Sequence, residues 1–315
     1  MMELTYLKNK KIIITGGNGF LGKNVVKKLM QFGIQKEKIF VPGSKEYDLT
    51  EKYNIARMFK TFPADVVIHL AGRIGGIGAN MERPATFFYD NLVMGVNLME
   101  LSYRNNVDKF ISIGTTCSYP KNAQMPLKEE YLWAGYPAEE TAPYGLAKKI
   151  LITQSEAYRK QYNFNAIQLL PVNLYGPGDN FDLVTSHVIP ALIRKCLDAL
   201  ANNAKTLTVW GTGSATRDFL YVEDAAEAIV LAADRYNSSQ PVNIGSGKEI
   251  PIKQIIETIC KITNYSGKII WDSSKPDGTP RRCVDTSSAK EKFGFEAKTP
   301  LELGLERTIA WYKEN

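Results

Sequence analysis

Four glycines within seven residues, Gly16, Gly17, Gly19 and Gly22, constrain this chain more than any other feature. Residues 11–15 before them (Lys-Ile-Ile-Ile-Thr) read as a short buried strand. Residues 21–32 after them carry Leu21, Val25, Val26 and Leu29 at the spacing of one helix face. A strand, a glycine turn and a helix in that order allow a tight turn and close backbone approach, so the helix N-terminus can face a pyrophosphate. The glycines fit both the G-x-G-x-x-G and the G-x-x-G-x-x-G spacing. The segment therefore predicts dinucleotide binding through Gly16, Gly17, Asn18, Gly19, Phe20, Leu21 and Gly22.

Buried-strand signals recur at residues 38–41, 66–70, 110–114 and 166–170, and helical patterns fall between them at 53–60, 91–105 and 144–162. This alternation predicts an α/β fold with a doubly wound parallel sheet of the Rossmann type and a smaller C-terminal α/β lobe. After Pro171 a loop, Tyr175-Gly-Pro-Gly-Asp-Asn-Phe181, precedes a helix at 188–201 and a strand at 207–210. Residues 219–233 return to the first domain, and the C-terminal lobe contains 252–262, 268–271 and 301–313. The dinucleotide domain is thus expected at 1–172 plus about 217–242, and the substrate domain at about 173–216 plus 243–315.

Composition removes several function classes. The 315 residues are 44% hydrophobic and 23% charged, which suits a sizeable core and argues against disorder. No run approaches the roughly 18 apolar residues of a membrane span, and the polar, basic start carries no signal-peptide pattern, so a cytoplasmic address without membrane contact is expected. The four cysteines, Cys117, Cys196, Cys260 and Cys283, form no C-x-x-C pair, so neither a disulfide framework nor a metal site is expected. The net charge of +6 is dispersed, without a nucleic-acid-binding motif. It suits a cleft for pyrophosphates as well as a merely solvated basic surface. Helices 91–105 and 144–162 are apolar on more than one side, which burial against the sheet or pairing across the two-fold axis of a homodimer would explain.

Ligands in such sheets sit outside the carboxyl ends of the strands. The second strand ends Phe40-Val-Pro-Gly-Ser-Lys45 with no acidic residue for a ribose 2′-hydroxyl. Ser44 and Lys45 are available there for a 2′-phosphate, which tilts the cofactor toward NADP(H) without excluding NAD(H). Asp48 is a candidate for the adenine amino group or a helix N-terminal signal. Leu70, Ala71, Gly72, Pro171, Asn173 and Leu174 lie at other strand ends and complete the expected cofactor wall, together with His187.

Tyr144 and Lys148 lie four apart at the start of a helix, on one face, where an ammonium would lower the phenol's pKa and ready it for proton transfer. Tyr6 and Lys10 share the spacing but lack the strand-end context. Gly114-Thr-Thr-Cys-Ser-Tyr-Pro120 delivers Thr115, Thr116 and Cys117 to the same edge. There the Thr115 hydroxyl can bond a substrate carbonyl or cap a turn, and Cys117 is a reactive or a packing thiol. Of two histidines, His69 suits a core role and His187 is free to face a cleft.

Together with Gly75-Gly-Ile-Gly-Ala-Asn80, Ala142-Pro-Tyr-Gly-Leu-Ala-Lys148, Asn173-Leu-Tyr-Gly-Pro177, Ser186-His-Val-Ile-Pro-Ala-Leu192 and Lys275-Pro-Asp-Gly-Thr-Pro-Arg281, these segments resemble the GDP-L-fucose synthase family of extended short-chain dehydrogenases. The likeness runs over nearly the whole chain. It implies conversion of GDP-4-keto-6-deoxy-D-mannose by C3 and C5 epimerisation followed by NADPH reduction at C4. By this resemblance Tyr144 protonates the C4 oxygen and Lys148 supports it and the cofactor ribose. Thr115 stands where serine is usual, and Cys117 and His187 serve the epimerisations. Thr116, Asn173, Lys195, Trp210, Arg217, Asp277 and Arg282 are expected to hold the GDP-sugar. Asn18 and Ser44 depart from arginines found in the family at the cofactor phosphate, and Lys195 and Arg282 exchange cation type. A GDP-mannose 3,5-epimerase-like enzyme retaining NAD, a C4 reductase for a related GDP-4-keto sugar or heptose, and a cofactor-binding regulator without turnover are the rival expectations.

Overall fold

A computed structural model describes residues 3–275 and 277–315; Pro276, within the 275–281 motif, lies outside the described residues. The first half runs β1 (Ile12–Thr15), α1 (Phe20–Gln31), β2 (Ile39–Phe40), α2 (Lys52–Thr61), β3 (Val66–His69), α3 (Ile77–Glu82), α4 (Pro84–Arg104), β4 (Lys109–Ile113), α5 (Ala142–Tyr162) and β5 (Asn165–Pro171). There follow β6 (Asn173–Tyr175), α6 (Val188–Ala201), β7 (Thr206–Trp210), β8 (Thr216–Arg217), β9 (Phe219–Tyr221), α7 (Val222–Arg235) and β10 (Val242–Ile244). The chain ends with β11 (Ile250–Pro251), α8 (Ile252–Thr263), β12 (Lys268–Asp272), β13 (Arg281–Arg282), α9 (Ser287–Phe293) and α10 (Leu301–Glu314).

Six strands form one parallel sheet in the order β10-β5-β4-β3-β1-β2. Side chains alternate across it. Ile12 and Ile14 of β1 join one apolar cluster with Val25 and Leu29 of α1 and Ile229 of α7. Ile13 joins the other with Met58, Phe59, Leu98 and Leu151. Both faces are therefore covered by helices, which is why these strands read as continuous apolar runs. A third cluster, including Ile189, Ile193, Val209, Ile256 and Leu305, packs the C-terminal lobe. From β1 the chain goes one way to β2 and then crosses to β3 on the other side. The crevice at the carboxyl ends of β1 and β3 is the switch point where α/β sheets of this kind bind ligands.

The expected elements recur with informative differences. The helix expected at 91–105 begins seven residues earlier, with Pro84 at its first turn. A proline there is compatible with a helix start because its missing N–H would have had no partner. The run that follows it, Ala85-Thr-Phe-Phe-Tyr-Asp90, places three aromatics in a row, which masks a one-sided apolar face. Helix α3 was masked by the glycines of residues 75–78, and β2 is a two-residue strand after a 3-10 turn. Among the described residues no helix is long and apolar enough to cross a membrane.

The start of the chain is tied to the domain by a buried charge. Asp234 Oδ1 accepts from the backbone N–H groups of Thr5, Tyr6 and Leu7 at 3.1, 2.8 and 3.0 Å. The fully buried Lys109 donates to the carbonyls of Ala232 and Ala233, 3.3 and 2.6 Å away. Burial pushes this lysine down to about 8, and the charge of Asp234 opposes that fall. Asp234→Ala leaves three backbone N–H groups without their acceptor and is expected to lose about 1–3 kcal/mol of stability, read from the shift in a urea unfolding midpoint.

Candidate active site

A cavity of about 1170 Å³ runs along the carboxyl edge of the sheet. Its first wall is the turn after β1. Gly16 has φ +71°, and a β-carbon on Gly22 would lie 2.1 Å from the Gly16 carbonyl oxygen, so α1 meets the turn backbone to backbone. Gly19 stands at the N-cap of α1 with no capping side chain, leaving helix N–H groups for an anion. The cradle fits the pyrophosphate of a dinucleotide. Asn18, Gly19, Phe20, Leu21, Ser44, Asp48, Leu70, Ala71 and Gly72 line the cavity beside it, and Pro171, Asn173 and Leu174 line it at the end of β5.

The next wall is built where α5 meets the turn after β4. Thr115 Oγ1 accepts from the Cys117 N–H at 3.1 Å, so it does cap a turn. Ser118 Oγ donates to the Gly145 carbonyl at 2.9 Å. A β-carbon on Gly145 would lie 2.3 Å from the Cys117 carbonyl oxygen. The first turn of α5 thus rests directly on the Cys117 backbone. This holds Thr115, Thr116, Cys117, Tyr144 and Lys148 on one wall, and His187, at the N-cap of α6, lines the same cavity.

Burial dominates the titrations. Lys148 is 3% exposed and is pushed down to about 8. Burial also raises the Tyr144 phenol above its ordinary value, helped by the charge of Cys117 and opposed by a hydrogen bond with Thr115. The net direction is upward where the spacing of Tyr144 and Lys148 led one to expect a lowered phenol, because burial dominates and Lys148 is not among the groups that shift it. A raised phenol is protonated at neutral pH, which suits a donor. Burial lowers His187. On the cationic side, Arg282 Nη1 donates to Cys117 Sγ at 3.6 Å. Arg217 is held by the carbonyls of Thr216, Thr279 and Asp277 at 2.7, 2.6 and 3.2 Å and is pushed down to about 10 by burial. His69 is core, with Nδ1 2.8 Å from Thr15 Oγ1.

Five expected ligand residues lie off the cavity wall. Gly17 faces Val41 and shapes the turn, while Lys45 is exposed beside Ser44. Lys195 donates to the Thr208 carbonyl at 3.2 Å and covers Trp210, its ammonium 5.5 Å from the ring centroid; Trp210 itself is 57% exposed. The Asp277 carboxylate is taken up by Thr212, accepting from its N–H at 2.8 Å and its hydroxyl at 2.7 Å. For Lys195, Trp210 and Asp277 a local partner claims the side chain.

Sequence reasoning passed over Arg73, Asn80 and Asp179, which line the cavity. Asp179 is pushed up to about 7 by burial. Its Oδ1 accepts from the Asn180 N–H at 2.7 Å, and its Oδ2 is buried with no hydrogen-bond partner. An acidic residue inside the Gly/Pro loop was its only sequence signal.

A family model described as the NAD dependent epimerase/dehydratase family matches residues 12–245. A GDP-L-fucose synthase from Sinorhizobium fredii is 39% identical over 315 residues, covering 100% of this chain and 99% of that relative. Among solved structures, a GDP-L-fucose synthetase from Naegleria fowleri bound to NADP superposes with TM-score 0.89 at 30% identity, covering 100% of this chain and 95% of that one. A GDP-6-OMe-4-keto-L-xylo-heptose reductase from C. jejuni does so with TM-score 0.90 at 29% identity, covering 98% of each chain.

The depressed Lys148 ties the protein's stability to pH. Between pH 8 and its ordinary 10.5 the unfolded chain keeps a proton that the folded site has released, so stability rises with pH across that window. Below pH 8 both states hold the proton and the full penalty is present. Wild type should therefore gain stability relative to Lys148→Met between pH 7.5 and 9.5, measured by denaturant unfolding. Lys109 titrates alike in both proteins and cancels.

Proposed function

The chain belongs to the NAD dependent epimerase/dehydratase family and, within it, to the GDP-L-fucose synthases; on that premise we propose that it converts GDP-4-keto-6-deoxy-D-mannose to GDP-L-fucose with NADPH. The observation that carries this reading is the sharing of one cavity by a reductive set, Tyr144, Lys148 and Thr115, and a separate acid–base pair, Cys117 and His187. A reductase alone needs only the first set.

The ketone at C4 acidifies the hydrogens on C3 and C5, so one enolate chemistry serves both inversions. Cys117 takes the proton from the carbon, with the Arg282 guanidinium beside its sulfur, and His187 returns a proton to the other face. Thr115 donates to the C4 oxygen, where negative charge gathers in the enolate. When bound in this cradle, NADPH would supply the hydride for C4. Tyr144 then passes its phenolic proton to the C4 oxygen, so the ketone gains one hydride and one proton and becomes the alcohol. Lys148 reaches the cofactor ribose, and Arg217 and Arg282 take the sugar nucleotide's pyrophosphate. Asn18 and Ser44 face the 2′-phosphate of NADP(H), with no carboxylate at the end of β2 to oppose it.

The same proposal covers the wider organisation. Residues 1–172 with about 217–242 bind the cofactor, and about 173–216 with 243–315 hold the GDP-sugar. The protein acts in the cytoplasm as a homodimer through α4 and α5, whose Tyr89, Ile150 and Tyr162 are 60%, 40% and 41% exposed.

Incubation with GDP-4-keto-6-deoxymannose and NADPH in D₂O should consume one NADPH per sugar and give GDP-L-fucose labelled at C3 and C5 by NMR. Tyr144→Phe should lower turnover by about 10²-fold or more. Cys117→Ala should abolish labelling at both carbons while leaving the circular dichroism unchanged. No NADPH consumption, with NAD found bound as purified, would sink the reductase reading. Labelling that survives in Cys117→Ala would remove the cysteine as base, and reduction without any labelling would point to a plain C4 reductase.

A further inference from the structure

The motif Gly75-Gly-Ile-Gly-Ala-Asn80 has no part in the chemistry above, although Gly75, Gly76, Ile77 and Asn80 line the cavity. One side chain shapes it. Asn80, 4% exposed, donates through Nδ2 to the carbonyls of Gly75 and Gly76 at 3.0 Å each, bending the loop into an arc at the start of α3. That arc lies on Phe87. A β-carbon on Gly75 would sit 3.2 Å from Phe87 Cζ and 3.0 Å from Ala79 Cβ, closer than carbon atoms pack at their optimum. Glycine lets the backbone press on the ring.

Phe87 is 5% exposed and is itself held from below, where Asn91 Nδ2 donates to its carbonyl at 2.7 Å. The same Asn91 brackets the Arg73 backbone, accepting from its N–H and donating to its carbonyl at 3.1 Å each. On its other side Phe87 meets Tyr144 edge to face, with ring centroids 6.3 Å apart and planes at 86°. This is a geometry aromatic pairs prefer. Phe87 does not line the cavity, so it reaches the chemistry only through the tyrosine ring. A phenol at the first turn of a helix has a freely turning ring unless something packs against it. Proton transfer to one substrate oxygen needs that ring aimed.

We propose that Phe87 is a positioning residue for Tyr144, and that the Gly75–Gly76 arc is the clamp that keeps it in place. The inference rests on Tyr144 being the proton donor at C4. It also explains why α4 begins at Pro84: the added turns carry Phe87 to the site.

The test separates aim from fold. Phe87→Leu should lower kcat for C4 reduction by about ten- to a hundredfold. KM for the GDP-keto sugar and for NADPH, and the rate of deuterium wash-in at C3 and C5, should stay within twofold of wild type. Gly75→Ala, which pushes a methyl at Phe87, should lower kcat in the same selective way. It supplies the measurement if Phe87→Leu fails to fold. Wild-type kcat in a folded variant, or parallel loss of reduction and wash-in, would overturn the proposal. A Tyr144→Phe enzyme that still reduces at the wild-type rate would instead overturn the donor reading, whatever Phe87 does.

Discussion

The geometry of the site depends on one backbone contact, the first turn of α5 resting on the carbonyl of Cys117 across Gly145. It is closed by Ser118 donating to the Gly145 carbonyl and by Thr115 accepting from the Cys117 N–H. Rigid elements meeting without intervening side chains keep Tyr144, Lys148, Thr115 and Cys117 at set separations, as a shared proton-transfer site requires. A β-carbon at position 145 would lift the helix and move the tyrosine and the lysine together. The glycine turn after β1, two strands along the same carboxyl edge, works by the same rule, with Gly22 admitting the Gly16 carbonyl.

Onto that frame burial writes the electrostatics. Lys148, Arg217 and His187 are all driven toward their neutral forms, and Tyr144 and Asp179 toward their protonated ones. The ligand-free cavity therefore stores a desolvation penalty on its cations. An anionic group beside Arg217 would offset it, because it favours the charged guanidinium. Binding and the readiness of the proton-carrying groups are coupled through this shared field.

Much of this was legible in the chain. The helix at 188–201 appears with the expected bounds, and the strands carrying Ile13, Val67 and Phe110 lie where their apolar runs indicated. Every residue named for proton chemistry lines the one cavity. Less legible were the elements without an apolar period. Helix α3 hides among glycines, and the first two turns of α4 hide behind Pro84, so Phe87 went unnoticed and Asn80 stood in a motif without a role. Lys195, Trp210 and Asp277 lie off the cavity wall, where Thr208, Thr212 and one another contact them.

By itself, the sequence determined the doubly wound sheet and the dinucleotide turn, and it singled out the residues proposed to carry protons. Glycine spacing and apolar periodicity act over a few residues, and their physical causes, steric access and one-sided burial, are local. Only the tertiary structure decided how those residues stand toward one another and in which charge state. Gly145 against Cys117, Phe87 against Tyr144 and the desolvation of Lys148 all arise between segments distant in the chain. Contact and dielectric there depend on packing, which no spacing within one segment encodes.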